Sequence, residues 1–198
     1  MLQVNFRGST GYGLKFMSEG FKEWGGLIQH DITDGVRWTI AQGIADPKRI
    51  AIFGASFGGY STMWGLINEP DLYRCGINYV GVTDLPSLLR NQDINLPMRY
   101  TAVAEVMIGD LDTDREKLEA MSPVNHVARI RAPVLMAYGE LDTIVHIAQG
   151  RKMASALKKA DKDFEFIVER KEGHGFRIEK NRIAFYRKVE AFLKQHLK

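Results

Sequence analysis

A chain of 198 residues, 45% hydrophobic and 26% charged, is long enough to bury one sizeable core, and one domain is expected. Its 27 basic against 24 acidic residues leave a net charge of only +3, and the basic stretch around Lys152, Lys158, Lys159 and Lys162 alternates with acids as a solvated helical face does, so nucleic acid is excluded as a partner. The single cysteine, Cys75, rules out an internal disulfide and a cysteine-based metal site; lying in an apolar run, it reads as a buried thiol. No apolar stretch approaches the roughly 20 residues that cross a bilayer, and the start lacks the pattern of a signal peptide, so no membrane partner and a cytoplasmic location are expected.

In chain order, short apolar runs alternate with segments of period 3.6, the mark of a mostly parallel sheet covered on both faces. Strands are predicted at Leu2–Phe6, Ile50–Phe53, Gly76–Val80, Val134–Tyr138 and Phe164–Val168. Helices are predicted at about Ile32–Gln42, Ser56–Asn68, Thr101–Met107, Asp114–Met121, Ile147–Ala160 and Asn181–Lys198. Asp31 is the expected N-cap of the first, and Asp46-Pro47 marks its end. The long interval Gly81–Ala132, which has no strand, is where binding loops or a small cap belong. Repeats, low-complexity tracts and Gly/Ser linkers are missing.

Chemistry concentrates at Gly54-Ala55-Ser56-Phe57-Gly58, a Gly-x-Ser-x-Gly between a strand and an apolar helix. A serine on a strained strand-to-helix turn stands clear of the sheet, and the flanking glycines are expected to be needed because a Cβ there would strike neighbouring backbone. The helix begins at the serine, so its free N–H groups and dipole favour a developing oxyanion, with the Phe57 N–H as first donor. A serine hydroxyl needs a base, and the base needs a carboxylate, in the chain order Ser, acid, His on this fold. Asp142 follows the fourth predicted strand and His174 the fifth, so both fall on loops at strand C-termini, where open parallel sheets bind ligands. Glu140 is the rival acid. His146 is the rival base, with a binding role as its other reading. Neither a metal site nor a phosphate-cradling loop is visible, so no cofactor is expected.

Several segments together resemble one family: Asn5-Phe6-Arg7-Gly8-Ser9-Thr10-Gly11-Tyr12-Gly13, Trp24-Gly25, Asp31, Gly54 to Tyr60, Gly81-Val82-Thr83-Asp84, Gly139-x-x-Asp142 and Glu172-Gly173-His174-Gly175-Phe176. They look like the catalytic domain of the prolyl-oligopeptidase family, an α/β-hydrolase fold, nearest to its acylaminoacyl-peptidase and dipeptidyl-aminopeptidase branch. The resemblance covers the whole chain. It implies hydrolysis of short peptides, acyl-peptides or acyl esters through an acyl-enzyme, with Ser56, Asp142 and His174 as triad. Two departures stand out. Val145-His146 replaces the family's frequent Val-Pro, and the preceding strands, the His-Gly-Gly-type loop with the second oxyanion donor and the β-propeller are absent.

Without those strands the Leu2–Phe6 strand would lack a neighbour. Three outcomes are expected to compete: a shift to pair with Ile50–Phe53, cover from another copy, or a fragment of a longer protein, with a truncated or fragmentary product that self-associates favoured. The leading expectation is a serine peptidase for peptide or acyl-peptide bonds. The alternatives are a carboxylesterase on small acyl esters and a weakly active remnant that self-associates. Tyr60, Leu89, Met98, Tyr100, Met107 and His146 are candidate pocket residues.

Overall fold

The computed structural model describes residues 1–90 and 98–198, with side chains of the second segment from residue 102 onward. Its centre is a four-stranded, all-parallel sheet of β1 (Ala51–Ala55), β2 (Cys75–Tyr79), β3 (Val134–Gly139) and β4 (Phe164–Glu169), in the order β1-β2-β3-β4. Eight α-helices lie among the described residues: α1 (Leu14–Ser18), α2 (Leu27–Ala41), α3 (Phe57–Asn68), α4 (Leu85–Arg90), α5 (Met98–Met107), α6 (Arg115–Ala120), α7 (Ala148–Lys159) and α8 (Glu179–His196).

Residue alternation along β3 explains the layering. All six of its residues are buried, but Val134, Met136 and Tyr138 join the core under α3 and α7, whereas Leu135 and Ala137 join the core under α8. Helix α3 is apolar almost all round and is buried from Gly59 to Ile67, as a central helix must be. The stripe Asn181, Phe185, Val189 and Phe192 of α8 recurs at spacings of three and four and closes the opposite face. Cys75 sits in that second core, where burial pushes its thiol up to about 11.

Two expectations fail near the N-terminus. Leu2–Phe6 forms no strand and does not pair with β1. Instead Val4 packs against Gly35 of α2, where an added Cβ would lie 2.7 Å from its methyl, and the Phe6 ring lies 5.5 Å from Phe57. A run of strand-favouring residues forms a strand only where a ladder partner exists, and the packing of this segment lies elsewhere. Asp31 is not a cap either, because α2 begins a turn earlier at Leu27, whose N–H donates to Glu23 Oε2 at 3.0 Å. Asp31 instead takes a two-pronged ion pair from Arg7, at 2.8 and 2.7 Å, plus the Arg7 backbone N–H. Those bonds hold its carboxyl below the ordinary range, against the opposing effect of burial. The short helices α1 and α4, in segments rich in turn residues, escape the periodicity reading.

Among the described residues no helix is long and apolar enough to cross a membrane.

Candidate active site

β1 ends at Ala55 and α3 starts at Phe57, leaving Ser56 to make the whole turn at φ 56° and ψ −118°, a conformation that residues with a Cβ rarely adopt. Two glycines permit it. A Cβ on Gly54 would lie 2.1 Å from the Gly58 carbonyl oxygen, and one on Gly59 would lie 2.6 Å from Gly81 Cα. Gly58 is a correction to the sequence reading: a Cβ there meets nothing within 4 Å, so backbone crowding does not explain that glycine. The Ser56 N–H donates to the Tyr79 carbonyl at 2.9 Å, tying the turn to β2.

The other two residues arrive from β3 and β4. Asp142 lies three residues past β3, side chain fully buried, with Oδ1 accepting the N–H groups of Ile144 (2.9 Å) and Val145 (2.8 Å). Its Oδ2 is thereby turned to His174 Nδ1, 2.8 Å away, and His174 Nε2 lies 2.8 Å from Ser56 Oγ. Since β4 is the far edge strand, the loop bearing His174 must travel back over the ends of β3 and β2. Gly139 clears the way: a Cβ there would sit 2.3 Å from the carbonyl oxygens of Glu172 and Gly173. Gly173 and Gly175 then face each other across a one-residue turn with His174 at its apex and Gly175 at φ 101°.

Burial and hydrogen bonding select the tautomer. An ionised Asp142 can only accept, so the Nδ1 proton points at it and Nε2 is left to accept from the serine hydroxyl. The Phe57 N–H, in the first turn of α3, belongs to the amides that have no acceptor inside their own helix.

The rival residues lie elsewhere. Glu140 forms an exposed ion pair with Arg151 at 2.7 Å. His146 is exposed, and its Nδ1 accepts the Ala148 N–H at 3.3 Å at the start of α7. Tyr60 is a correction: it is completely buried, with its hydroxyl donating to the Met121 carbonyl at 2.9 Å, and so lines no accessible pocket. Leu89 and Met107 are half-buried against the larger core, and the side chains of Met98 and Tyr100 lie outside the described residues.

Tyr79 and Glu172 also belong to this site, although the sequence pattern does not single them out. Tyr79 ends β2, its carbonyl holding Ser56 and its hydroxyl accepting the Phe176 N–H on the His174 loop. Glu172 is buried beside that loop. A bulky aromatic at a strand's end and a carboxylate immediately before a Gly-His-Gly turn are the signals that could have pointed to them.

A parallel sheet between helical layers, with a serine on the turn after one strand and an aspartate and a histidine on the loops after two others, is the α/β-hydrolase architecture. Within it, the chain belongs to the prolyl oligopeptidase family, whose model matches residues 1–198. Dipeptidyl aminopeptidase BIII of Pseudoxanthomonas mexicana is 36% identical over 199 residues, which cover 100% of this chain and 29% of that protein. A puromycin-hydrolyzing peptidase of Mycobacterium tuberculosis superposes with a TM-score of 0.89 at 30% identity, over 98% of this chain and 29% of its own. The acylaminoacyl peptidase of Pyrococcus horikoshii does so with a TM-score of 0.88 at 28% identity, over 98% of this chain and 32% of its own. The chain thus spans less than a third of the length of these relatives.

Proposed function

We propose that residues 1–198 form one catalytic unit that hydrolyses peptide or acyl-peptide bonds through an acyl-enzyme on Ser56. The observation that carries this is the unbroken hydrogen-bond chain Ser56 Oγ, His174 Nε2, His174 Nδ1, Asp142 Oδ2, with both links at 2.8 Å. In the first half-reaction His174 Nε2 takes the hydroxyl proton while Ser56 Oγ bonds to the carbonyl carbon. Asp142, anchored by two backbone amides, stabilises the imidazolium so formed. The oxyanion lies at the start of α3, where the Phe57 N–H and the helix dipole oppose its charge. His174 then returns the proton to the leaving amine, and water repeats the sequence to release the acyl group. The names of the relatives, which include a dipeptidyl aminopeptidase and an acylaminoacyl peptidase, favour short N-terminal peptide or acyl-peptide substrates.

The test is labelling with a fluorophosphonate, with Ser56→Ala as control, followed by aminoacyl and acetyl-aminoacyl nitroanilides beside p-nitrophenyl esters. Ser56-dependent labelling with nitroanilide turnover is expected. Labelling that survives in Ser56→Ala, or fails in the wild type, overturns the assignment. Turnover of esters alone would make the protein a carboxylesterase.

A further inference from the structure

Something other than its own backbone must hold His174 in place. The residue stands between Gly173 and Gly175, both without a side chain to pack, and Gly175 has positive φ. Such a turn is soft. Yet both ring nitrogens of His174 are in 2.8 Å contacts at once, which fixes the ring from two sides.

Beside Tyr79, whose hydroxyl accepts the Phe176 N–H, the buried group bonded across this turn is Glu172. Its side chain folds over the turn: Oε2 accepts the Arg177 N–H at 2.8 Å, and Oε1 accepts the Ile178 N–H at 2.9 Å and Asn181 Nδ2 at 3.0 Å. The residue two positions upstream of the apex is thereby bonded to two amides downstream of it and to the first turn of α8. Its carbonyl also accepts the Leu141 N–H at 2.9 Å, on the loop that carries Asp142. With the residue only 2% exposed, little water competes for these bonds.

We propose that Glu172 is a positioning residue for His174: its buried carboxylate clamps the turn that presents the imidazole to Ser56, while its carbonyl ties that turn to the Asp142 loop. This rests on the reading of Ser56, His174 and Asp142 as the reacting groups. Glu172 touches none of the reacting atoms. All three of its side-chain partners are donors, so both carboxylate oxygens are needed as acceptors. Glutamine keeps one acceptor and turns an NH₂ toward an N–H, replacing at least one attraction with a donor–donor clash. Burial opposes ionisation of Glu172, and its hydrogen bonds outweigh burial, so the carboxyl lies below the ordinary carboxylate range.

Glu172→Gln tests this with two readouts. In turnover, kcat should fall by up to about 10²-fold, the scale of an ångström-sized misplacement, with KM changed less than about twofold. In proton NMR, the low-field resonance of the proton between His174 Nδ1 and Asp142, identified by its loss in His174→Ala, should broaden or vanish in Glu172→Gln at temperatures where the protein is folded. A lowered melting temperature with unchanged kcat and unchanged resonance would make Glu172 a purely structural brace and overturn the inference. If Glu172→Gln does not fold, Asn181→Ala decides. Removal of one of the three donors must lower kcat several-fold and broaden the resonance, and no change in either overturns the clamp. The NMR arm needs no activity. Loss of the resonance in a protein that shows no Ser56-dependent labelling would therefore sustain the clamp while the hydrolase reading fails.

Discussion

Alanine substitution of the two glycines that flank Ser56 should have opposite effects, although the Gly-x-Ser-x-Gly pattern treats them alike. In Gly54→Ala the new methyl would lie 2.1 Å from the Gly58 oxygen and 2.2 Å from its carbonyl carbon, both backbone atoms of the turn. Ordinary contact begins near 3.4 Å, so the strand end and the helix start must separate by more than an ångström. That exceeds the strain a flexible side chain can absorb, and the cost falls at or above the top of the ~1–3 kcal/mol range of overpacked cores. For a chain of this size about 3 kcal/mol corresponds to a fall of roughly 6–12 °C in melting temperature. In Gly58→Ala the methyl meets nothing within 4 Å, inside the first turn of α3. Alanine's better helix propensity, at most about 1 kcal/mol, should leave the melting temperature unchanged or a few degrees higher. Thermal unfolding followed by circular dichroism measures both, with the rate of fluorophosphonate labelling as a gauge of turn geometry in Gly54→Ala. Equal destabilisation by the two substitutions, or a larger loss in Gly58→Ala, would refute the steric account of the turn.

Ser56→Gly should abolish labelling yet raise the melting temperature, because glycine relieves a positive-φ conformation whose cost is about 1–3 kcal/mol; a lower midpoint would show that the serine's hydrogen bond outweighs that strain. Asp142→Asn should reduce turnover by about 10⁴-fold through the wrong histidine tautomer, whereas Glu140→Ala, which breaks an exposed pair, should leave turnover within twofold; the reverse order would reassign the acid. Because the folded-state carboxyl of Glu172 lies below its unfolded value, its stabilisation is complete above the ordinary carboxylate range and is lost as pH falls through the depressed value. Urea unfolding between neutral pH and pH ~3 should therefore show a steeper acid loss in wild type than in Glu172→Gln, and parallel curves would count against the assignment.

Much of this molecule is legible in the residue pattern. The four strands that form occupy segments where apolar runs end in turn residues, and the parallel order follows from the helices between them. Ser56, Asp142 and His174 could be singled out because each lies just past a strand's end, a relation that periodicity exposes. What periodicity cannot expose is partnership. Leu2–Phe6 has a strand's composition and no strand to pair with, and Tyr60 has a pocket residue's chemistry but a core helix's position. The roles of Tyr79 and Glu172 depend on a loop crossing two strand ends, and no local pattern encodes such a crossing.

That crossing also has a kinetic consequence. Ser56 and His174 are 118 residues apart in the chain, and His174 and Asp142 are 32 apart, so no local segment can assemble the cluster. Contacts at such separation require loop closure before they yield any stabilisation and are slow to form. Helices α3 and α8 can appear from nearby residues, whereas the histidine turn is expected to find its place only after β4 has joined β3. During refolding, covalent capture of Ser56 would thus trail the return of helical circular dichroism, which makes the nucleophile a clock for completion of the tertiary structure.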